Sequence, residues 1–188
     1  MLNVRPTIRK IFLCNKNKER SIKVKEEYEK KYKQVEFIAT SDFSSPLKDA
    51  DIIVTATASN QPLFDGKLVK KGAHLNCVGS FVKNSREVDS FLISNCNSIV
   101  DTIEAEETSG EFCLAKEEGV IPQKTFSLMD LGQFVSLLPS SCSAVRTSPN
   151  DITLFKSVGH ALQDLSISSF VHQVGKEMGL GINLDFDS

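Results

Sequence analysis

At 188 residues the chain is long enough for one domain with a sizeable buried core. With 40% hydrophobic and 24% charged residues its composition is that of an ordinary globular fold, and a net charge of -2 gives no overall attraction to nucleic acid or anionic membrane. No apolar run approaches the roughly 20 residues that cross a bilayer, and the stretch from Met1 to Pro6 lacks the apolar core of a signal peptide, so a cytoplasmic protein is expected.

Ile8 to Cys14 reads as a strand around the apolar run Ile11-Phe12-Leu13. Lys18 to Gln34 reads as a Lys/Glu-rich helix, with Val24, Tyr28 and Tyr32 at four-residue spacing on one face and a solvated charged face opposite. Val35 to Ala39 is a second strand, and Ser44 to Asp49 a short helix whose Ser45-Pro46 suits a first turn. Asp51 to Ala56 and His74 to Val78 are the next strands, with turns at Asp65-Gly66 and Lys71-Gly72 between them. Arg86 to Ser94 is expected to be helical, Ser98 to Asp101 a short strand, and Glu111 to Glu118 a helix stopped by Gly119. Leu128, Leu131, Phe134, Val135 and Leu138 predict a helix over Ser127 to Leu138. Pro139 to Asn150 reads as a polar, flexible linker. Asp151 to Met178 is expected as one long amphipathic helix, striped by Leu154, Val158, Leu162, Leu165, Val174 and Met178 and ended by Gly179.

Strands alternating with helices predict an α/β fold: a Rossmann-type parallel sheet with helices on both faces and a long C-terminal helix. The strands are short continuous apolar runs, as burial on both faces requires. Residues 1–138 then form the sheet domain, 139–150 a linker, and 151–188 a helix packing back on the sheet. The five cysteines (Cys14, Cys77, Cys96, Cys113 and Cys142) include no C-x-x-C pair; Cys14 and Cys77, inside apolar strands, are expected to pack as small hydrophobes. His74, His160 and His172 show no metal-ligand spacing, so no metal is expected. Nucleophile-elbow, P-loop and G-x-G-x-x-G patterns are all missing.

An open parallel sheet binds ligands off the carboxyl ends of its strands. Those ends are Asn15-Lys16-Asn17, Ser41-Asp42, Thr55-Ala56-Thr57 and Val78-Gly79-Ser80. A cofactor without a 2′-phosphate meets an acidic residue at the first of these positions; here Asn15 and Lys16 stand there and no acid comes before Glu19, which favours NADP(H) over NAD(H). The alternative is that Lys16 and Lys18 only form a solvated cationic loop. Thr55 and Thr57 either face a nicotinamide ribose or cap the following turn, and Gly79 is either a point of close backbone approach or a turn glycine.

Taken together, the segments IFLCNKNKER, DADIIVTATASNQPLFDGKLVKKGAHLNCVGS, IVDTIEAEETSGEF and ITLFKSVGHALQD, in this order, resemble the ornithine cyclodeaminase/mu-crystallin family. The resemblance covers most of the chain but only the cofactor-binding part of the family architecture. It implies a domain binding NAD(H) or NADP(H), and an activity derived from a ketimine (imino acid) reductase or amino acid cyclodeaminase, acting on a small amino or imino acid within a homodimer. The alternative is a non-catalytic truncated remnant or small-ligand-binding protein of the same family. Position by position, Asn15, Lys16 and Asn17 resemble contacts to the adenosine ribose and 2′-phosphate, Thr55, Ala56 and Thr57 the mid-cofactor turn, Val78, Gly79 and Ser80 the nicotinamide half, and Ser157 a further cofactor contact. Phe81 fills the place of an Asp that cyclodeaminase-like members use as acid/base, and Thr108 the place of an acidic residue, so no catalytic residue is assigned. The family's glycine loop, first strand, substrate domain and dimer-forming sheet would lie ahead of Met1. That first strand is central in such a sheet. Its absence would leave two strands without a partner, or bring Ile8 to Cys14 directly against Asp51 to Ala56, and would weaken cofactor binding by this chain alone.

Overall fold

The computed structural model describes residues 1–120, 129–137, 145–182 and 184. In chain order it places strand β1 at Lys10–Cys14, helix α1 at Lys18–Lys31, β2 at Glu36–Thr40, a 3₁₀ turn at Ser45–Lys48, β3 at Ile52–Thr55 and a second 3₁₀ turn at Gly66–Leu68. There follow β4 at His74–Cys77, α2 at Ser90–Asn95, β5 at Cys96–Val100, α3 at Ala105–Thr108, α4 at Gly110–Glu117, β6 at Met129–Asp130, α5 at Leu131–Ser136, β7 at Ile152–Lys156 and α6 at Ala161–Glu177. Every strand pairing is parallel. The chain is thus the α/β fold expected, with a five-stranded sheet in the order β3-β4-β7-β5-β6 and a two-stranded sheet β1-β2.

The larger sheet carries the main core. Leu75, Cys77, Val88, Leu92, Val100 and Leu154 are all fully buried there, and Leu47 from the first 3₁₀ turn joins them. The smaller sheet has its own apolar contact: Phe37 of β2 is buried and its ring meets Tyr28 of α1 at 6.2 Å. The direct pairing of β1 with β3 does not form. Among the described residues β1 pairs only with β2, and β3 only with β4. The reason lies in where the connecting segment is buried: Leu47 holds the approach to β3 on the core of the larger sheet, while Phe37 and Tyr28 hold β1 and β2 under α1. Each of β1 and β3 therefore keeps one edge without a strand partner among the described residues.

The largest departure from the sequence reading is β7. Residues 152–156 are not the start of a long helix but the middle strand of the five, bonded to β4 on one side and β5 on the other. Ile152, Thr153 and Phe155 are good strand formers, and Leu154 between β-branched and aromatic neighbours mimics a helical stripe only because Val158 follows at four residues. Gly159, at φ 88°, turns the chain out of the strand. The helix begins only at Ala161, after His160, whose Nδ1 accepts from the Leu162 amide at 3.1 Å. This α6 does not pack back on the sheet. It has no buried residue, and Leu162 and Phe170 are 63% and 62% exposed.

Other boundaries moved for local reasons. The expected helix at Arg86 starts at Ser90, where Asp89 caps it by accepting from the Leu92 amide at 2.9 Å. The helix expected from Ser127 starts at Leu131, where Asp130 accepts from the Gln133 amide, and Met129 is drawn into pairing with Ile99 instead; residues 127, 128 and 138 lie outside the described residues. Of the expected linker, residues 139–144 lie outside them too, while its end is anchored: Arg146 Nη1 donates to the Gly72 carbonyl at 2.8 Å, and Thr147 and Ser148 amides donate to Asp151. Cys77 and Cys96 are buried thiols, and Cys113 is half-buried. Cys14, contrary to expectation, is exposed, because it is the last residue of an edge strand. Cys142 lies outside the described residues.

His74 opens β4, with its Nδ1 2.8 Å from Thr153 Oγ1 of β7. Burial holds its pKa below 6.5, and the Arg146 cation adds to the effect. The unfolded chain therefore binds a proton more readily than the folded one. The stability this contributes is complete above pH 6.5 and is lost as pH falls from there through the lower folded value. Urea unfolding as a function of pH is expected to show this fall, and His74→Gln to flatten it.

Candidate functional site

The carboxyl ends of β3, β4, β5 and β7 meet at one edge, and two buried or half-buried carboxylates organise it. Glu87, fully buried, gathers three donors: Thr55 Oγ1 at 2.7 Å, the Thr57 amide at 2.5 Å and the Gly79 amide at 2.9 Å. It thereby ties the turn after β3 to the turn after β4. Asp101, just past β5, does the same for the turn after β7: its Oδ2 accepts from Ser157 Oγ at 2.7 Å, the Val158 amide at 2.9 Å and the Gly159 amide at 2.8 Å. Carboxylates accepting several backbone N–H bonds are among the stronger anchors available to a loop.

Behind Glu87 lies a second buried layer. The Glu87 amide donates to Glu111 Oε1 at 3.0 Å, and Ser109 Oγ donates to Glu111 Oε2 at 2.9 Å. Lys156, the last residue of β7, brings its Nζ to 3.5 Å from Glu111 Oε2; both side chains are fully buried. Among the described residues that ammonium has no hydrogen-bond partner.

Gly79 is a point of close approach. Its φ is not in the left-handed region, so conformation alone does not demand glycine. A Cβ there would instead overlap the Thr57 backbone and Glu87 Oε1. Gly110, at the start of α4, is similarly closed by the Ser85 and Val82 carbonyls.

The residues singled out from the sequence are distributed as follows. Thr55, Ala56, Thr57, Val78, Gly79 and Ser80 come together at this edge, bridged by Glu87 and by the Val78 amide donating to the Thr55 carbonyl at 3.0 Å. Among them Ala56 and Val78 are exposed. Thr55 and Ser80 are buried and turned inward, their hydroxyls donating to Glu87 and to the Ser85 carbonyl respectively. Ser157 is at the neighbouring strand end, with its hydroxyl given to Asp101. Asn15, Lys16 and Asn17 follow β1 in the other sheet and are exposed; Asn15 Oδ1 accepts from the Asn17 amide at 2.9 Å, and Asn17 Oδ1 caps α1 through the Glu19 and Arg20 amides. Lys16 is an exposed cation. Phe81, beyond Gly79, is 64% exposed. The described residues hold no His/Cys/Asp/Glu group arranged for a metal ion. The sequence reading missed Glu87, Asp101, Glu111 and Lys156. Glu87, Glu111 and Lys156 fall in segments expected to be helical and Asp101 at an expected strand end, and no local pattern marks any of them as turning inward.

A parallel sheet with its turns clamped at the carboxyl edge defines a Rossmann-type α/β domain. The chain belongs to the ornithine cyclodeaminase/mu-crystallin family, whose sequence profile it matches from residue 2 to residue 178. It is 32% identical over 181 residues to a Delta(1)-pyrroline-2-carboxylate reductase of Bacillus cereus, covering 95% of this chain and 54% of that protein. It is 34% identical over 209 residues to an uncharacterized cyclodeaminase of Dictyostelium discoideum, covering 100% of this chain and 56% of that protein. Among solved structures, the Thermococcus litoralis Delta(1)-pyrroline-2-carboxylate reductase in complex with NADH and L-proline superposes with a TM-score of 0.78 at 27% identity, over 94% of this chain and 53% of that one. An archaeal alanine dehydrogenase dimer with bound NAD shares the fold, with a TM-score of 0.77 at 21% identity, over 96% of this chain and 53% of that one. The chain spans about half the length of the curated relatives it matches.

No helix among the described residues is long and apolar enough to cross a membrane.

Proposed function

We propose that this chain binds a nicotinamide dinucleotide across the carboxyl edge of its strands, as the cofactor-binding part of an imino acid reductase. The observation that carries this is the pair of clamped turns after β3 and β4, which present exposed Ala56 and Val78 on a rigid, small-residue surface. The resemblance to reductases that carry Delta(1)-pyrroline-2-carboxylate in their names supports an imino acid substrate, and the solved relatives with NADH or NAD support the cofactor class. The donor set fits such a group. Lys16 and Asn15 suit the adenosine ribose and a 2′-phosphate, which favours NADP(H) over NAD(H). Ala56, Thr57, Val78, Gly79 and Ser80 would line the middle and nicotinamide half, Thr55 and Ser80 through the backbone they hold rather than through their hydroxyls. Ser157 would act by fixing, with Asp101, the turn after β7. When bound, the cofactor supplies hydride chemistry; the chain's own part is to orient it and exclude water.

A second reading, a non-catalytic binding member of the family, is favoured by one observation. Glu87, Glu111, Lys156 and Asp101 at this edge are all engaged by internal partners, and Phe81 offers an apolar ring where a proton-trading group would be useful. Amide NMR of the labelled chain separates the readings. Titration with NADPH and NADH is expected to shift amides at residues 15–17, 56–57, 78–80 and 157–159, more strongly for NADPH. No shift with either at millimolar nucleotide would overturn cofactor binding. Shifts without reduction of a cyclic imino acid such as Delta(1)-pyrroline-2-carboxylate would favour the non-catalytic reading.

A further inference from the structure

Given the reading of this edge as a cofactor site, we infer that Glu87 is its positioning residue. Its carboxylate sets the spacing of the Thr57 and Gly79 turns, and Glu111 and Lys156 hold it from behind. The main-chain ladder between β3 and β4 ends at the pair Thr55 and Cys77, with one further bond from the Val78 amide to the Thr55 carbonyl. Between that bond and the one further along from the Arg86 amide to the Ser59 carbonyl at 3.1 Å, the Thr57 and Gly79 turns share no main-chain hydrogen bond among the described residues. The Thr57 and Gly79 amides both turn instead to Glu87, one to each carboxylate oxygen. A side chain, rather than the sheet, therefore fixes the surface on which a nicotinamide half would rest.

Glu87 is itself fixed at both ends of its peptide. Its amide donates to Glu111 and its carbonyl accepts from the Leu63 amide at 2.8 Å. Glu111 is fixed by Ser109 and by the Lys156 charge. The chain of contacts so joins the ends of β3, β4 and β7. Burying three ionisable side chains is an expensive way to fill a core, since apolar residues of the same volume do so at least as well. It is a good way to hold backbone donors in fixed positions, because a packed and hydrogen-bonded second layer locks the rotamer of the group in front.

Glu87→Gln tests this with little change of shape. A carboxamide offers one acceptor oxygen. Facing Thr55 and Gly79 it keeps both, and its NH₂ then confronts the Thr57 amide. In the nucleotide-free chain, hydrogen exchange at Thr57 is expected to rise about tenfold or more, while Leu154 and Phe155 in β7 keep their protection. The NADPH dissociation constant is expected to rise by a similar factor in the same variant. Should the Gln variant not fold, Thr55→Val removes only the hydroxyl bond to the same carboxylate, and a smaller rise confined to Thr57 and Gly79 is expected. Equal loss of protection at Thr57 and Leu154 would mean that Glu87 merely supports the core, and would overturn the assignment, as would unchanged exchange at Thr57 and Gly79. If the unaltered chain binds neither nucleotide, the cofactor reading fails by itself. The exchange pattern then still decides whether Glu87 sets the two turns.

Discussion

Gly79→Ala is expected to cost about 3 kcal/mol of unfolding free energy and to abolish nucleotide-induced shifts at the β4 edge. The added methyl has nowhere to go. It would overlap the Thr57 backbone nitrogen and carbonyl and the Glu87 carboxylate, none of which is the free end of a flexible side chain. Thr57 is held by its own bond to Glu87, and Glu87 by Glu111, so making room for one methyl displaces a chain of buried polar contacts. Each displaced donor or acceptor that loses its partner adds about 1–3 kcal/mol, which is why the effect exceeds that of a surface glycine. Gly175→Ala is the control. In α6 a Cβ there meets nothing nearer than the Leu180 carbonyl at 3.8 Å, and alanine favours the helix. Parallel urea titrations should therefore separate the two: a large fall in midpoint for Gly79→Ala, and an unchanged or raised one for Gly175→Ala. Equal midpoints would mean that the β3 and β4 turns are free to separate.

How far the sequence discloses this arrangement depends on how local each signal is. The strands ending at Thr55 and Cys77 are legible because Ile52-Ile53-Val54 is a short apolar run and Ala73, Leu75 and Cys77 alternate with His74 and Asn76, both between turn residues. The chain order of the strand ends also brings Thr55–Thr57 and Val78–Ser80 to one edge. β7 was hidden by coincidence of spacing: Leu154 and Val158 sit four apart, as on a helix, though Ile152, Thr153 and Phe155 prefer a strand. Glu87 was hidden by distance. Its partners Thr55, Thr57 and Gly79 lie 32, 30 and 8 residues away, and nothing in Arg86-Glu87-Val88-Asp89 marks which acid turns inward. Asp89, two residues on, has an equally acidic side chain, yet it caps a helix and reaches the Gly66 amide instead. The inward turn of Thr55, Ser80 and Ser157 follows from the same contacts. A hydroxyl prefers a nearby carboxylate or carbonyl; for Thr55 and Ser157 that acceptor lies 32 and 56 residues away, and for Ser80 it is the Ser85 carbonyl five residues on.

Breaking the Glu111–Lys156 pair from either side should be costly, while neutralising both should not. Glu111→Gln leaves the Lys156 ammonium fully buried without a counter-charge, at an expected cost of about 3–5 kcal/mol. Lys156→Met leaves a buried carboxylate that still accepts from Ser109 and the Glu87 amide, so its cost should be smaller, about 1–3 kcal/mol. In the double variant the carboxamide put in place of Glu111 keeps an acceptor oxygen for the Glu87 amide, and the thioether put in place of Lys156 fills the volume of the lysine stem without a charge. Its stability should lie within about 1 kcal/mol of the unaltered chain, far above the sum of the two single losses. Denaturant unfolding of the four proteins completes the cycle. Additive losses would show that the two groups, at 3.5 Å and without a hydrogen bond between them, are not coupled, and that Glu111 holds Glu87 without help from β7. A strongly non-additive cycle would place the ammonium within the same cooperative unit as the β3 and β4 turns. Lys156 then owes its burial to the carboxylate it neutralises, and the carboxyl edge of the sheet is stiffened by charge where the backbone ladder has already ended.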